Sequence, residues 1–172
     1  AAGPISNRIR SFVMRAGRMT AGQEQGWQQG FPQFGLTVAQ GALDWDRTFG
    51  SPGRRVLEIG FGMGDSLLQM AQAEPETQFV GIEVHRPGVG RLLSQALGLG
   101  IGNLRVYAED AVDVLSHCVA PASLDAVHIF FPDPWHKKRH HKRRLIQPKF
   151  VGDLAHLMRE DVHLYVATDL TP

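Results

Sequence analysis

Arg54-Arg55-Val56-Leu57-Glu58-Ile59-Gly60-Phe61-Gly62-Met63-Gly64-Asp65-Ser66 is the stretch on which the fold turns. A short apolar run, Val56 to Ile59, gives way to glycines at Gly60, Gly62 and Gly64. Asp65-Ser66 then opens a helical pattern through Leu67, Leu68 and Ala71 that lasts until Pro75. Strand, tight glycine turn and helix is the opening unit of a wound α/β sheet. Glycine suits a turn where the backbone must bend sharply and come close to a nucleoside, because a Cβ there would clash. A second strand, Gln78 to Ile82, ends at Glu83, 23 residues after Gly60. A carboxylate at that distance, at a strand's C-terminal end, is placed to accept the ribose hydroxyls of a bound nucleoside.

Downstream, the same alternation continues. Arg86-Pro87-Gly88 leads into a helix over Val89 to Leu97, and a third strand, Leu104 to Tyr107, runs into Ala108-Glu109-Asp110-Ala111. A helix from Ala111 to His117 follows, then a fourth strand from Leu124 to Phe131 that delivers Asp133. Phe150, Val151, Leu154, Leu157 and Met158 mark one face of a further helix, with Pro148 suited to its first turn. A fifth strand, Val162 to Ala167, ends in Thr168-Asp169. Strand and helix in alternation imply a Rossmann-like, mostly parallel sheet with helices on both faces. Ligands of such sheets bind beyond the carboxyl ends of the strands, where Glu58, Glu83, Asp110, Asp133 and Asp169 are all expected. Upstream, residues 1–30 are rich in Arg, Gln and Gly without a sustained period and are expected to form a weakly ordered basic arm. A short helix is expected over Val38 to Phe49, and the sheet domain over 31–172.

Chemistry concentrates in Phe130-Phe131-Pro132-Asp133-Pro134-Trp135-His136-Lys137-Lys138-Arg139-His140-His141-Lys142-Arg143-Arg144. Flanking prolines restrict the backbone around Asp133, Trp135 offers a face for a base, and the segment from His136 to Arg144 carries six cations and no acid. Net charge is only +1, so the basicity is local. Arg8, Arg10, Arg15 and Arg18 add to it within an acid-free stretch ending at residue 23, and together they point to a polyanion bound at one place. His136, His140 and His141 do not read as a metal site, because the surrounding cations repel a metal and no carboxylate lies among them. With 172 residues at 43% hydrophobic, the chain can bury one core. No run approaches a membrane span, and the single Cys118 excludes an internal disulfide framework, so a cytoplasmic protein is expected.

The acids also discriminate between cofactors. A nicotinamide dinucleotide brings a pyrophosphate, which disfavours Glu58 just before the loop and Asp65 just inside the helix. S-adenosyl-L-methionine has no phosphate and carries a sulfonium and an ammonium, which acidic surroundings suit. On this reading Glu58 lies near the amino-acid end, Glu83 holds the ribose and Asp110 the adenine amino group.

The same residues resemble a family. Val56-Leu57-Glu58-Ile59-Gly60-Phe61-Gly62-Met63-Gly64, Gly81-Ile82-Glu83-Val84-His85 and, above all, the Phe131 to Arg144 segment resemble the bacterial tRNA (guanine-N7)-methyltransferases. So do Arg10 to Thr20 and Ala167-Thr168-Asp169. The resemblance implies a class I methyltransferase acting on a guanine of the tRNA variable loop. It implies Glu58, Gly60, Gly62, Gly64, Glu83, Asp110, Ala111 and Asp133 at the cofactor, with Asp133 also catalytic. It further implies Lys137 and Asp169 at the substrate, and Arg139, His140, His141, Lys142, Arg143 and Arg144 on RNA. Two departures stand out. The family's sheet continues with further strands, so a C-terminally incomplete chain is expected, and Arg159-Glu160-Asp161 replaces a usual glycine turn. The alternatives are an amino-group methyltransferase, whose Asn/Asp-Pro-Pro-Tyr/Phe motif begins like Asp133-Pro134, and an RNA-binding module without catalysis.

Overall fold

The computed structural model describes residues 18–131, 148–159 and 164–168, the side chains of residues 131, 148–151 and 164–168 excepted. Among these residues six strands form one sheet: β1 (Gly35–Leu36), β2 (Arg55–Ile59), β3 (Gln78–Ile82), β4 (Leu104–Tyr107), β5 (Ala126–Phe131) and β6 (Leu164–Thr168). Their order is β1-β4-β3-β2-β5-β6 and every pair is parallel. The glycine-loop strand β2 is therefore central, and the order reverses direction about it, which is where a wound sheet opens a crevice.

Parallel central strands are buried on both faces, and these are. Val56, Phe79, Leu104, Val106 and Ala126 face one core, filled by Phe34, Phe61, Leu67, Leu68, Val89, Leu92, Leu93 and Ala96. The helices that supply it are α1 (Ala21–Phe34), α3 (Asp65–Ala73) and α4 (Arg86–Leu99). Leu57, Ile59, Val80, Ile82, Tyr107, Val127 and Ile129 face the other core, closed by Trp45, Val114, Leu115, Cys118, Leu154 and Leu157. These come from α2 (Trp45–Phe49), α5 (Ala111–Cys118) and α6 (Pro148–Leu157).

Two expectations about the N-terminal third need correction. Residues 21–30 are not a weakly ordered arm but part of α1, opened by a capping box in which Thr20 Oγ1 accepts from Gln23 N at 3.1 Å and Gln23 Oε1 accepts from Thr20 N at 2.9 Å. The helix lies against α4 through glycine: a Cβ at Gly26 would run into the Gly90 carbonyl, and one at Gly30 would stand 2.8 Å from Leu93 Cβ. Trp27 stacks on Phe31 with ring centroids 5.1 Å apart and donates Nε1–H to Arg86 O at 2.9 Å. Residues 1–17 lie outside the described residues. Nor does one helix run from Val38 to Phe49. A 3-10 turn covers Val38–Gln40, Gly41 at φ +78° ends it, and Asp44 caps α2 by accepting from Arg47 N at 3.2 Å.

The second, third and fourth expected strands fall close to β3, β4 and β5, with β5 starting at Ala126 because Leu124 bridges to Met158 instead.

Candidate active site

At the carboxyl end of β2 the chain turns through Gly60, Gly62 and Gly64 with φ of +79°, +64° and +86°. At Gly60 the turn is also crowded, since a Cβ would stand 2.5 Å from Phe130 O of the neighbouring β5. At Gly62 no described atom lies within 4 Å of a Cβ position, so the loop presents bare backbone to open space. Behind it, α4 begins so close that a Cβ at Gly88 would overlap the Gly62 carbonyl. The loop is thus held between the ends of β5 and α4 while its outer face stays uncovered by described residues.

Glu83 is the fixture of this turn. Its Oε1 accepts from Gly62 N at 2.7 Å, and its Oε2 accepts from Val84 N at 2.9 Å and His85 N at 3.0 Å. One carboxylate therefore ties the glycine loop to the start of α4. A carboxylate offers about four acceptor directions, so three backbone donors leave room for a ligand hydroxyl. This scaffolding role has no signal in residue spacing, because it depends on how β2 and β3 lie in register, Ile59 beside Ile82.

Glu58 has a different environment. It shares the face of Val56, lies between Gly81 of β3 and His128 of β5 in the ladder, and is only 6% exposed. Among the described residues its carboxylate accepts no hydrogen bond, and its one ion-pair contact is His128 Nδ1 at 3.8 Å. A nearly buried carboxylate with a single ion-pair neighbour suits a ligand cation. Residue spacing gives no hint of His128.

Asp110 stands at the end of β4 as the N-cap of α5, its Oδ1 accepting from Val112 N at 2.8 Å, and Ala111 begins that helix buried. Glu109 accepts from Val38 N at 2.7 Å and so pins the 3-10 turn beside it. Asp65, expected to add negative charge at the loop, is instead exposed and paired with Arg91 at 2.8 Å. Its charge bridges α3 to α4, so the acidic character of the rim rests on Glu58, Glu83 and Asp110.

Glu58, Gly60, Gly62, Gly64, Glu83, Asp110 and Ala111 are therefore brought together at the carboxyl ends of β2, β3 and β4. Asp133, Lys137, Arg139, His140, His141, Lys142, Arg143, Arg144 and Asp169 lie outside the described residues. The strands that lead to Asp133 and Asp169, β5 and β6, belong to the same parallel sheet and end at the same edge. A groove of about 1010 Å³ lined by Arg54, Glu76, Gln78 and Asn103 lies at the opposite edge, away from every expected site residue. Among the described residues no helix is long and apolar enough to cross a membrane, and no group of three His, Cys, Asp or Glu could hold a metal ion.

The set suits S-adenosyl-L-methionine in chemistry. A buried carboxylate accepts no hydrogen bond from the described residues, a glycine cradle leaves space that a Cβ would invade, and no basic side chain among the described loop residues awaits a pyrophosphate.

Comparison with known proteins agrees. Residues 53–172 match a family model described as "Putative methyltransferase". The chain is 54% identical over 164 residues to the tRNA (guanine-N(7)-)-methyltransferase of Pseudomonas paraeruginosa, covering 95% of this chain and 67% of that protein. To the enzyme of the same name from Pseudomonas entomophila it is 56% identical, covering 96% and 69%. Among solved structures it resembles a 16S rRNA (adenine(1408)-N(1))-methyltransferase from Catenulisporales acidiphilia, with TM-score 0.53, 19% identity and coverage of 72% and 62%. It also resembles a phosphoethanolamine N-methyltransferase of Haemonchus contortus in complex with S-adenosyl-L-methionine, with TM-score 0.55, 18% identity and coverage of 92% and 35%. These two likenesses speak for the fold. With the family model spanning most of the chain and more than half of its residues shared with the curated relatives, the chain belongs to the tRNA (guanine-N(7)-)-methyltransferase family.

Proposed function

We propose that the protein transfers a methyl group from S-adenosyl-L-methionine to N7 of a guanine in the variable loop of tRNA, in the cytoplasm. The observation that carries this reading is the gathering of Glu58, Glu83 and Asp110 around a glycine cradle, in a chain so similar to enzymes of that name.

When bound, S-adenosylmethionine supplies an electrophilic methyl on a sulfonium. Glu58 would meet its ammonium, Gly60 to Gly64 would admit the nucleoside to the backbone, Glu83 would accept from a ribose hydroxyl, and Asp110 with Ala111 would hold the adenine. Guanine N7 already presents a lone pair, so the chain need not supply a general base for the transfer. Positive charge develops on the purine, and the carboxylate of Asp133 would stabilise it. Alignment of acceptor and donor supplies much of the remaining acceleration. Lys137 and Asp169 would contact the guanine, while Arg139, His140, His141, Lys142, Arg143 and Arg144 would engage the phosphate backbone.

The test is transfer of isotopically labelled methyl to unmodified tRNA, followed by mapping of the modified base. Label at N7 of a variable-loop guanine is expected. Label on an exocyclic amine would replace this reading with that of an amino-group methyltransferase, and binding without transfer would leave an RNA-binding module.

A further inference from the structure

His128 and Glu58 stand opposite one another in the β2–β5 ladder, and β5's alternation puts His128 on the face it shares with Ala126 and Val56. The Glu58 side chain is 8% exposed and that of His128 26%, with Nδ1 3.8 Å from Oε1. That separation is too long for a direct hydrogen bond and suits a polar contact made through space or through one bridging water. Glu58 Oε2 accepts no hydrogen bond from the described residues. Two residues further along β5, the Phe130 carbonyl crowds Gly60. The same strand thus bears on the glycine loop and on the acid that precedes it.

We propose that His128 is a positioning residue for Glu58: it holds one oxygen of the buried carboxylate and so turns the other towards the amino-acid end of the methyl donor. The proposal rests on the donor site argued above and adds to it a residue outside the expected set. Its physical content is preorganisation. A buried carboxylate with no fixed partner samples several rotamers, and ordering it only when the donor arrives would weaken binding. With His128 in place that ordering precedes binding.

The experiment is calorimetric titration of the wild-type protein, H128L and H128N with two ligands. S-adenosylhomocysteine carries the α-ammonium, whereas 5′-methylthioadenosine has the same nucleoside and thioether but lacks the amino-acid end. Leucine offers Glu58 no donor, while asparagine places an amide N–H₂ where His128 carries Nδ1. H128L is expected to weaken S-adenosylhomocysteine about tenfold and methylthioadenosine less than about twofold. H128N should recover most of the loss. Equal loss for both ligands would mean a general structural role and overturn the proposal, as would undiminished binding of S-adenosylhomocysteine by H128L. Should H128L fail to fold, H128F, which also lacks a donor, takes its place with the same expected and overturning results. A wild-type protein that binds neither ligand would remove the donor-site reading itself and the proposal with it.

Discussion

Replacing Glu83 by Ala should damage stability and donor binding together, and the size of each effect follows from the three backbone donors its carboxylate satisfies. Gly62, Val84 and His85 donate at 2.7, 2.9 and 3.0 Å. Hydrogen bonds to a charged acceptor contribute about 1.5–3 kcal/mol each, but the site is half-open and water can replace part of them. A net cost of about 2–4 kcal/mol is therefore expected for Glu83→Ala. In a chain of this length that corresponds to a melting temperature lower by roughly 5–15 °C. Glu83→Gln keeps one oxygen, which can serve Gly62 or the pair at the start of α4 but not both, and its amide N–H₂ faces a donor on the other side. It should cost about half as much. Donor affinity, read by calorimetry with S-adenosylhomocysteine, should fall about tenfold for Gln and about a hundredfold or more for Ala, since each factor of ten is about 1.4 kcal/mol. A Glu83→Ala protein that melts as the wild type does and binds donor within threefold would refute the argument that this carboxylate builds the loop.

The other predictions concern packing, titration and the segment after β5. Gly26→Ala should destabilise by about 1–3 kcal/mol despite alanine's better helix propensity, because the new Cβ meets the Gly90 carbonyl; Gly98→Ala, with open space around it, should stabilise by about 0.5–1 kcal/mol, both read by urea unfolding. Burial raises the Cys118 thiol above its ordinary 9.0 and raises the Tyr107 hydroxyl still further above its own. The unfolded chain therefore releases these protons first, so their contribution is fully present below about pH 9 and is lost as pH rises beyond it; a urea midpoint unchanged between about pH 8 and 11 would contradict this. Asp133→Ala should abolish methyl transfer in single-turnover assays while weakening donor binding only modestly. Replacing Arg139, Lys142, Arg143 and Arg144 by Ala should reduce the slope of log affinity for tRNA against log salt by about 0.7–0.9 for each phosphate no longer neutralised, and an unchanged slope would make that segment a bystander.

How much of the fold and site is legible in the residues alone depends on whether the signal is local. The glycine turn is legible because strand, three alternating glycines and helix follow one another without interruption, and Glu83 because its distance from Gly60 is set by one βαβ unit. Helix α1 is not, although Thr20 and Gln23 form its capping box. Its buried stripe is Gly26, Gly30 and Phe34, only the last of which carries a hydrophobic signal, and its richness in Gly and Gln imitates a loop. The helix expected through Val38 to Phe49 fails at Gly41, whose positive φ breaks it, and at Asp44, which restarts it as a cap. His128 is invisible for a different reason. Its neighbour Glu58 lies 70 residues earlier, and only the order β3-β2-β5 makes the two adjacent. Asp65 shows the converse: an acid close to the loop in sequence is neutralised by Arg91 on the next helix.

The most direct test of the central claim is a crystal structure of the protein with S-adenosylhomocysteine. The ribose is expected against Glu83, the adenine beside Asp110 and Ala111, and the amino-acid end over the glycine loop towards Glu58. A ligand seated elsewhere, such as the groove at the amino ends of β2 to β4, would contradict it.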